Sequence, residues 1–213
     1  MDNQQEQEKY NIGFFKRWAP IYYWIEVAFI FLRKKVANKI GKSHAKILDV
    51  ACGTGSQSVA FAKEGHSVIG VDLSPDMLKY TERKIKPGYD VKFVRGNATK
   101  LPYDDSTFDV SSVSLALHEM PEDLSIMTLK EMIRVTKEGG QILIIEYNTP
   151  PNRLGHKIAK LYESKYYNHF VETGLDYFLK KAGLEPISKE TCLLGNFQTV
   201  ECTNRLNQKT VSK

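Results

Sequence analysis

Residues 49 to 55, Asp-Val-Ala-Cys-Gly-Thr-Gly, bring a carboxylate and two closely spaced glycines into one short turn. The apolar run Lys46-Ile-Leu-Asp-Val-Ala51 leads into it, and Ser56 to Glu64 follows with helical character. Strand, glycine turn and helix form the setting in which a nucleotide-like ligand sits at the carboxyl edge of a sheet. Glycines give the tight turn and let backbone approach a ligand. The free N–H groups of the following helix attract a carboxylate or phosphate. Three ligand types compete. A dinucleotide fingerprint requires a third glycine where Ser58 stands. A phosphate loop requires a terminal Gly-Lys-Ser/Thr, which is absent. The ligand that remains has a ribose and no pyrophosphate. Asp72, ending the next apolar run, His66-Ser-Val-Ile-Gly-Val-Asp72, suits it, because one carboxylate accepts both ribose hydroxyls. The plainer reading of the same residues is a tight turn and an aspartate capping the next helix.

These residues need elements to hold them, and the chain alternates strand and helix in the manner of a mostly parallel sheet covered on both faces. Ser74 is placed to cap a helix whose first turn takes Pro75. Pro87-Gly88 is a turn between that helix and a strand over Asp90 to Arg95; Phe108 to Ser114 is the next strand. A helix is expected from about Glu122 to Lys137, stopped by Gly139-Gly140, with a strand from Gln141 to Glu146. Helical segments follow near 153–167 and 173–182, the last ended by Gly183. Leu184 to Thr191 and Asn196 to Thr203 alternate like antiparallel strands around a Gly195-Asn196 turn. The expected fold is α/β, a Rossmann-like doubly wound sheet of seven strands with only the last antiparallel. An N-terminal helical cap (1–40), the main domain (41–205) and a flexible tail (206–213) divide the chain.

The chain has 213 residues, 42% hydrophobic and 26% charged, ordinary usage for one globular domain. The net charge of +5 is spread out, with clusters only at Arg33-Lys34-Lys35 and Lys180-Lys181, so a nucleic-acid partner is not expected. Cys52, Cys192 and Cys202 have neither disulfide nor zinc spacing, and no metal is expected. The polar N-terminus lacks a signal-peptide core, and the apolar run Ile21 to Leu32 carries Glu26 and is too short to span a bilayer. A cytoplasmic location is expected. Ile21 to Leu32, apolar all round as a helix and followed by the basic trio, is either a lid over an acceptor pocket or a weak peripheral membrane contact.

Consecutive blocks of the sequence resemble a known family. Ile47-Leu-Asp-Val-Ala-Cys-Gly-Thr-Gly55 resembles the first motif of class I S-adenosylmethionine (SAM) dependent methyltransferases, and Val68-Ile-Gly-Val-Asp-Leu-Ser-Pro-Asp-Met-Leu78 the stretch after it. Gly96-Asn-Ala-Thr-Lys-Leu-Pro-Tyr-Asp-Asp-Ser-Thr-Phe-Asp109 resembles the family's G-D-A-x-x-L-P-F-x-x-x-x-F-D segment. Leu115-Ala-Leu-His-Glu119 and Arg134-Val-Thr-Lys-Glu-Gly-Gly-Gln-Ile-Leu-Ile145 resemble the last blocks. The branch most similar is the small-molecule one that includes ubiquinone and menaquinone biosynthesis methyltransferases.

The resemblance implies that SAM is the cofactor and S-adenosylhomocysteine the product. Gly53 and Gly55, with Ala51 in the same loop, pass under the methionine portion, and Asp49 helps hold its amino group. Asp72 binds the ribose, and Leu73 and Met77 sandwich the adenine. Asn97 and Ala98 meet the adenine edge, with Asn97 standing where the family often has Asp. Ser114 and Leu115 line the floor near the sulfonium. Lys16-Arg-Trp-Ala-Pro-Ile-Tyr22 resembles an entry segment that caps the cofactor in similar enzymes. Trp18 and Tyr22 would close over SAM, while Tyr23 replaces an aspartate. For Leu73, Met77, Leu115 and the aromatic cap, ordinary packing is the competing explanation.

A methyl on a cationic sulfur needs mainly an aligned nucleophile, so positioning supplies most of the catalysis. A base is required only if the nucleophile carries a proton. His118, just past the fourth strand, is the candidate base or acceptor orienter, or a histidine that ties down a loop. Glu119, Tyr147, Tyr166, Tyr167 and His169 are further candidates. The expected activity is methyl transfer to a small, apolar or aromatic acceptor. Alternatives are a SAM-fold enzyme of another reaction class, a non-catalytic SAM binder, and nucleic-acid methylation. The last would place Asn/Asp-Pro-Pro-Tyr/Phe where Ser114-Leu-Ala-Leu117 stands. Neither the acceptor nor the oligomeric state is written in the sequence.

Overall fold

The computed structural model describes residues 29–41, 43–148, 156–157, 160 and 165–205. Trp18 and Tyr22, most of the Ile21 to Leu32 run, and the tail from 206 lie outside the described residues.

The strands are β1 (Lys46–Val50), β2 (Ser67–Asp72), β3 (Val91–Arg95), β4 (Phe108–Ser114), β5 (Thr136–Tyr147), β6 (Pro186–Cys192) and β7 (Phe197–Thr203). They form one seven-stranded sheet in the order β3-β2-β1-β4-β5-β7-β6. The pairs from β3 across to β5 are parallel, while β7 runs antiparallel to both β5 and β6. β7 is thus the one reversed strand, as the sequence pattern predicts. β1 lies between β2 and β4, so the strand order reverses beside its carboxyl end, the place where open α/β sheets form a ligand crevice.

The central strands are apolar because helices cover both faces of the sheet. Ile47, Leu48 and Val50 of β1 are fully buried. On one face Leu48, Val50, Val113, Ile142 and Ile144 meet α4 (Glu122–Val135), α5 (Tyr167–Thr173) and α6 (Leu175–Ala182) through Leu129, Met132, Phe170 and Phe178. On the other, Ile47, Val68, Val110, Leu143 and Ile145 meet α1 (Ile30–Ala37) and α2 (Ser56–Lys63) through Leu32, Val36, Ala37, Phe61 and Ala62. Buried side chains of this size contribute roughly 1.5–3 kcal/mol each. The end of the expected cap is therefore built into the core through α1.

One boundary differs from the sequence expectation. The helix ends at Val135, and β5 begins at Thr136 rather than beyond Gly139-Gly140. Thr136 Oγ1 donates to Met132 O at 2.6 Å and lies 2.8 Å from Ser111 Oγ, which ends the helix and starts the strand together. The register against β4 then jumps, from Phe108 opposite Thr136 to Val110 opposite Gln141. The glycines make this irregularity. Gly139 has φ +72°, and a Cβ at Gly140 would lie 2.7 Å from Asp109 O.

Candidate functional site

The crevice is built at the carboxyl ends of β1, β2 and β4. Past β1, Ala51 has φ +52°, and Gly53 and Gly55 have φ +54° and +78°. Cys52 N donates to Val71 O at 3.0 Å and Gly55 N to Cys52 O at 2.9 Å, closing a tight turn onto α2. Leu115, past β4, has φ +53°. A left-handed backbone at a residue with a Cβ costs about 1–2 kcal/mol. Two such residues at the tips of neighbouring strands are the kind of strain that collects at binding sites.

Gly55 lacks a Cβ because Phe93 needs the space: a Cβ there would lie 2.6 Å from the Phe93 ring and 3.0 Å from Thr81 Cγ2. A Cβ on Gly53 would have Met77 Cε as its neighbour, at 3.8 Å. The two glycines therefore act differently. One accommodates a core ring, and the other keeps the loop open beside Met77.

Asp72 ties the crevice together. Its Oδ2 accepts from Gly53 N at 2.7 Å and its Oδ1 from Ser74 N at 2.8 Å. Burial pushes its carboxyl above the usual range, against the pull of the Ser74 and Gly53 N–H groups. Each carboxylate oxygen keeps a second lone pair for a ligand hydroxyl. Ser74 caps α3 (Pro75–Leu78), its Oγ accepting from Met77 N at 3.3 Å, and so fixes Leu73 and Met77 beside Asp72.

Asp49 is buried in β1 beneath the loop. Ser58 Oγ donates to its Oδ2 at 2.5 Å. Its Oδ1 is enclosed and has no hydrogen-bond partner among the described residues. Burial pushes the Asp49 carboxyl up to about 7, opposed by Ser58 and by the positive charge of Arg33. A buried polar atom without a partner is costly unless a ligand supplies one. α2 also begins without a side-chain cap, its N-cap being Gly55. Lys84 Nζ donates to Thr54 Oγ1 at 2.8 Å and Ser56 Oγ at 2.5 Å at the same helix end. An acceptor below the loop and donors at the helix start suit a zwitterionic amino-acid group.

Asn97 and Ala98 follow β3. Asn97 Oδ1 accepts from Thr99 N and Thr99 Oγ1, both at 2.9 Å. Both carbonyl lone pairs are thus used in the turn, and its amide N–H groups are what it has to offer a base edge. Ala98 is buried, and Ser114 is half-buried at the end of β4.

His118 lies in the 3-10 turn Leu117–Glu119 after β4 and is buried. Its Nδ1 is 2.6 Å from Glu146 Oε1, and its Nε2 is 3.4 Å from Glu119 Oε1. Glu146, at the end of β5, has no exposed surface and also accepts from the N–H groups of Leu117 at 3.0 Å, His118 at 3.4 Å and Tyr147 at 2.9 Å. The rings of Tyr147, Tyr167 and Phe170 stand edge-on to the imidazole at 4.8, 6.2 and 6.2 Å. His118, Glu119, Tyr147 and Tyr167 are therefore brought together. His169 is not, for its Nε2 meets Glu122 at the surface at 2.8 Å. Tyr166 lies under Lys165 Nζ at 5.0 Å.

Two participants escaped the sequence reading. Glu146 closes an otherwise apolar strand, Gln141-Ile-Leu-Ile-Ile-Glu146, and that lone charge was the available signal. Arg33 was grouped with a surface cluster, but the trio divides. Arg33 is half-buried and acts on Asp49, and Lys35 pairs with Glu190 at 2.7 Å.

Fold and site define a doubly wound α/β protein whose glycine turn, held by Asp72 and underlain by Asp49, sits where the strand order reverses. The chain belongs to the ubiE/COQ5 methyltransferase family, whose model matches residues 27–173. It is 39% identical over 134 residues to a demethylmenaquinone methyltransferase of Staphylococcus saprophyticus, a match covering 61% of this chain and 57% of that protein. The chain spans about half the length of the curated relatives it matches. Its fold is similar to a SAM-dependent methyltransferase from Aquifex aeolicus, with TM-score 0.63 and 21% identity over 80% of this chain and 88% of the other. It is as similar in fold to the [4+2]-cyclase SpnF, with TM-score 0.63 and 18% identity over 83% and 81% of the two chains. The sheet alone therefore does not fix the reaction.

Proposed function

We propose that this chain transfers a methyl group from SAM to a small, ring-bearing apolar acceptor of the quinol type. The observation that carries the reading is the enclosed Asp49 Oδ1 beneath the glycine loop, without a hydrogen-bond partner among the described residues, with Asp72 tying that loop to β2. SAM matches both, an ammonium for Asp49 and ribose hydroxyls for Asp72. Bound there, it supplies a methyl on a cationic sulfur.

The chain's own part is to hold and orient. Ala51, Gly53 and Gly55 carry the loop beneath the amino-acid end. Leu73 and Met77 flank the adenine, and the Asn97 amide with Ala98 meets its edge. Ser114 and Leu115 form the floor near the sulfur. The expected cap role of residues 1–40, with Trp18 and Tyr22, falls mostly outside the described residues. His118 stands on the acceptor side, held by Glu146. The acceptor assignment draws on the names of the curated relatives, demethylmenaquinone methyltransferases. A membrane-resident acceptor gives a weak peripheral membrane contact a purpose. Among the described residues no helix is long and apolar enough to cross a membrane. The reading assigns no nucleic-acid partner and a cytoplasmic site of action.

The test is incubation with SAM and a reduced, demethylated prenyl-naphthoquinone, followed by mass spectrometry. Equal amounts of methylated quinone and S-adenosylhomocysteine support the reading. S-adenosylhomocysteine formed only with other acceptors would remove the quinol assignment. A ring-closed product with SAM unconsumed would favour the cyclase-like alternative.

A further inference from the structure

We propose that Arg33 is the residue that recognises the carboxylate of the cofactor's amino-acid end, together with the uncapped start of α2. The proposal rests on the SAM reading above and adds to it a residue outside the sequence blocks that carry the family resemblance.

Three observations meet at this point. First, α1 lies against the beginning of α2: Gln57 Nε2, in the first turn of α2, donates to Arg33 O at 3.4 Å. Second, the Arg33 guanidinium is turned toward the protein, with Cζ 5.9 Å from the centre of the buried Phe29 ring. Phe29 in turn stands edge-on to Phe197 at 4.9 Å, and Phe197 pairs with Tyr147 at the carboxyl end of β5. The ring beside the guanidinium therefore lies near the carboxyl end of β5. Third, its charge reaches the Asp49 carboxylate, whose Oδ1 is enclosed and without a partner among the described residues.

The amino and carboxylate groups of an α-amino acid share one carbon. An ammonium hydrogen-bonded to Asp49 Oδ1 places the carboxylate within about 6 Å of that oxygen. The groups there that favour an anion are the N–H groups of the α2 first turn, the Lys84 ammonium and the Arg33 fork, and of the two cations Arg33 is the one whose charge also acts on Asp49. Asp49 and Arg33 then read the two charges of one zwitterion. A basic side chain at a helix N-terminus is unfavourable by itself and becomes favourable when an anion lies between.

The test is calorimetry on the full chain with two probes: S-adenosylhomocysteine, and its decarboxylated analogue, which keeps the ammonium and lacks the carboxylate. The wild type should bind the first at least tenfold more tightly than the second. Arg33→Met should lower affinity for S-adenosylhomocysteine about tenfold and leave that for the analogue within twofold. Arg33→Lys, which keeps the charge and loses the fork, should fall between, and serves if the methionine variant does not fold. Equal weakening of both probes would mean a structural role, and unchanged affinity for S-adenosylhomocysteine would mean no role; either overturns the proposal. It is equally overturned if Lys84→Met, rather than Arg33→Met, abolishes the discrimination. A wild type that binds neither probe would remove the SAM reading itself.

Discussion

The backbone N–H of Gly53 donates to Asp72 Oδ2 at 2.7 Å, so the glycine turn after β1 is fastened by the last residue of β2. One side chain thus shapes the loop and, in the proposed reading, accepts the ribose hydroxyls. Asp72→Ala should remove both, with each charge-assisted bond worth roughly 1.5–3 kcal/mol. Affinity for SAM should fall at least tenfold and the melting temperature should drop as well. Asp72→Asn, which retains one acceptor, should recover part of the stability and little of the affinity. Calorimetry and thermal unfolding of the two variants check this, and wild-type affinity in Asp72→Ala would refute the assignment.

Asp49 should make both stability and binding depend on pH. Burial raises its carboxyl from 3.8 to about 7 in the folded chain. The folded state then binds the extra proton, so the unliganded protein loses stability as pH rises through that interval. An ammonium pairs with the ionised carboxylate. Affinity for S-adenosylhomocysteine should therefore rise with pH up to about 7 and then level off, with a proton released on binding below it. Asp49→Asn should flatten both curves. Titrations in buffers of different ionisation enthalpy measure the proton release, and a wild-type affinity that falls between pH 5 and 7 would count against the role.

Glu146 gathers His118 Nδ1 and three backbone N–H groups in the interior. Glu146→Ala strands those donors and should destabilise the chain by roughly 1–3 kcal/mol for each buried donor left unpaired. Glu146→Gln keeps an acceptor and should cost less. Denaturant unfolding measures both. Equal losses in the two variants would show that hydrogen bonding to Glu146 does not hold the turn after β4.

Gly55→Ala meets two obstacles, a φ of +78° and the Phe93 ring 2.6 Å from the new Cβ. The expected cost is about 2–4 kcal/mol from backbone strain and overpacking together. Phe93→Leu in the same chain should return the steric part and leave the strain. A double-mutant cycle by thermal unfolding separates them, and strict additivity would mean that Phe93 is not what demands the glycine.

How much of this was legible follows from what each residue depends on. The strands and the crevice position were readable because buried parallel strands are apolar runs and glycines mark their ends, as in Lys46-Ile-Leu-Asp-Val. Ser74 announced its helix because a cap is a local hydrogen bond. The start of β5 was misplaced because Gly139-Gly140 reads equally as a helix stop and as an irregularity within a strand; only pairing with β4 decides. Glu146 and Arg33 were missed for a related reason. Their partners, His118 at 28 residues' separation and Asp49 on another element, are set by sheet order rather than by local pattern. Asn97 was recognised as a site residue, yet the use of its carbonyl by Thr99 is a turn geometry that composition does not reveal.

The measurement that bears most directly on the account is calorimetric titration of the full chain with S-adenosylhomocysteine and, separately, with NAD. The Asp49, Gly53 and Asp72 arrangement predicts saturable binding of one S-adenosylhomocysteine per chain, and no heat from NAD, whose pyrophosphate finds Ser58 where a third glycine would stand. Binding of NAD with no response to S-adenosylhomocysteine would contradict the account.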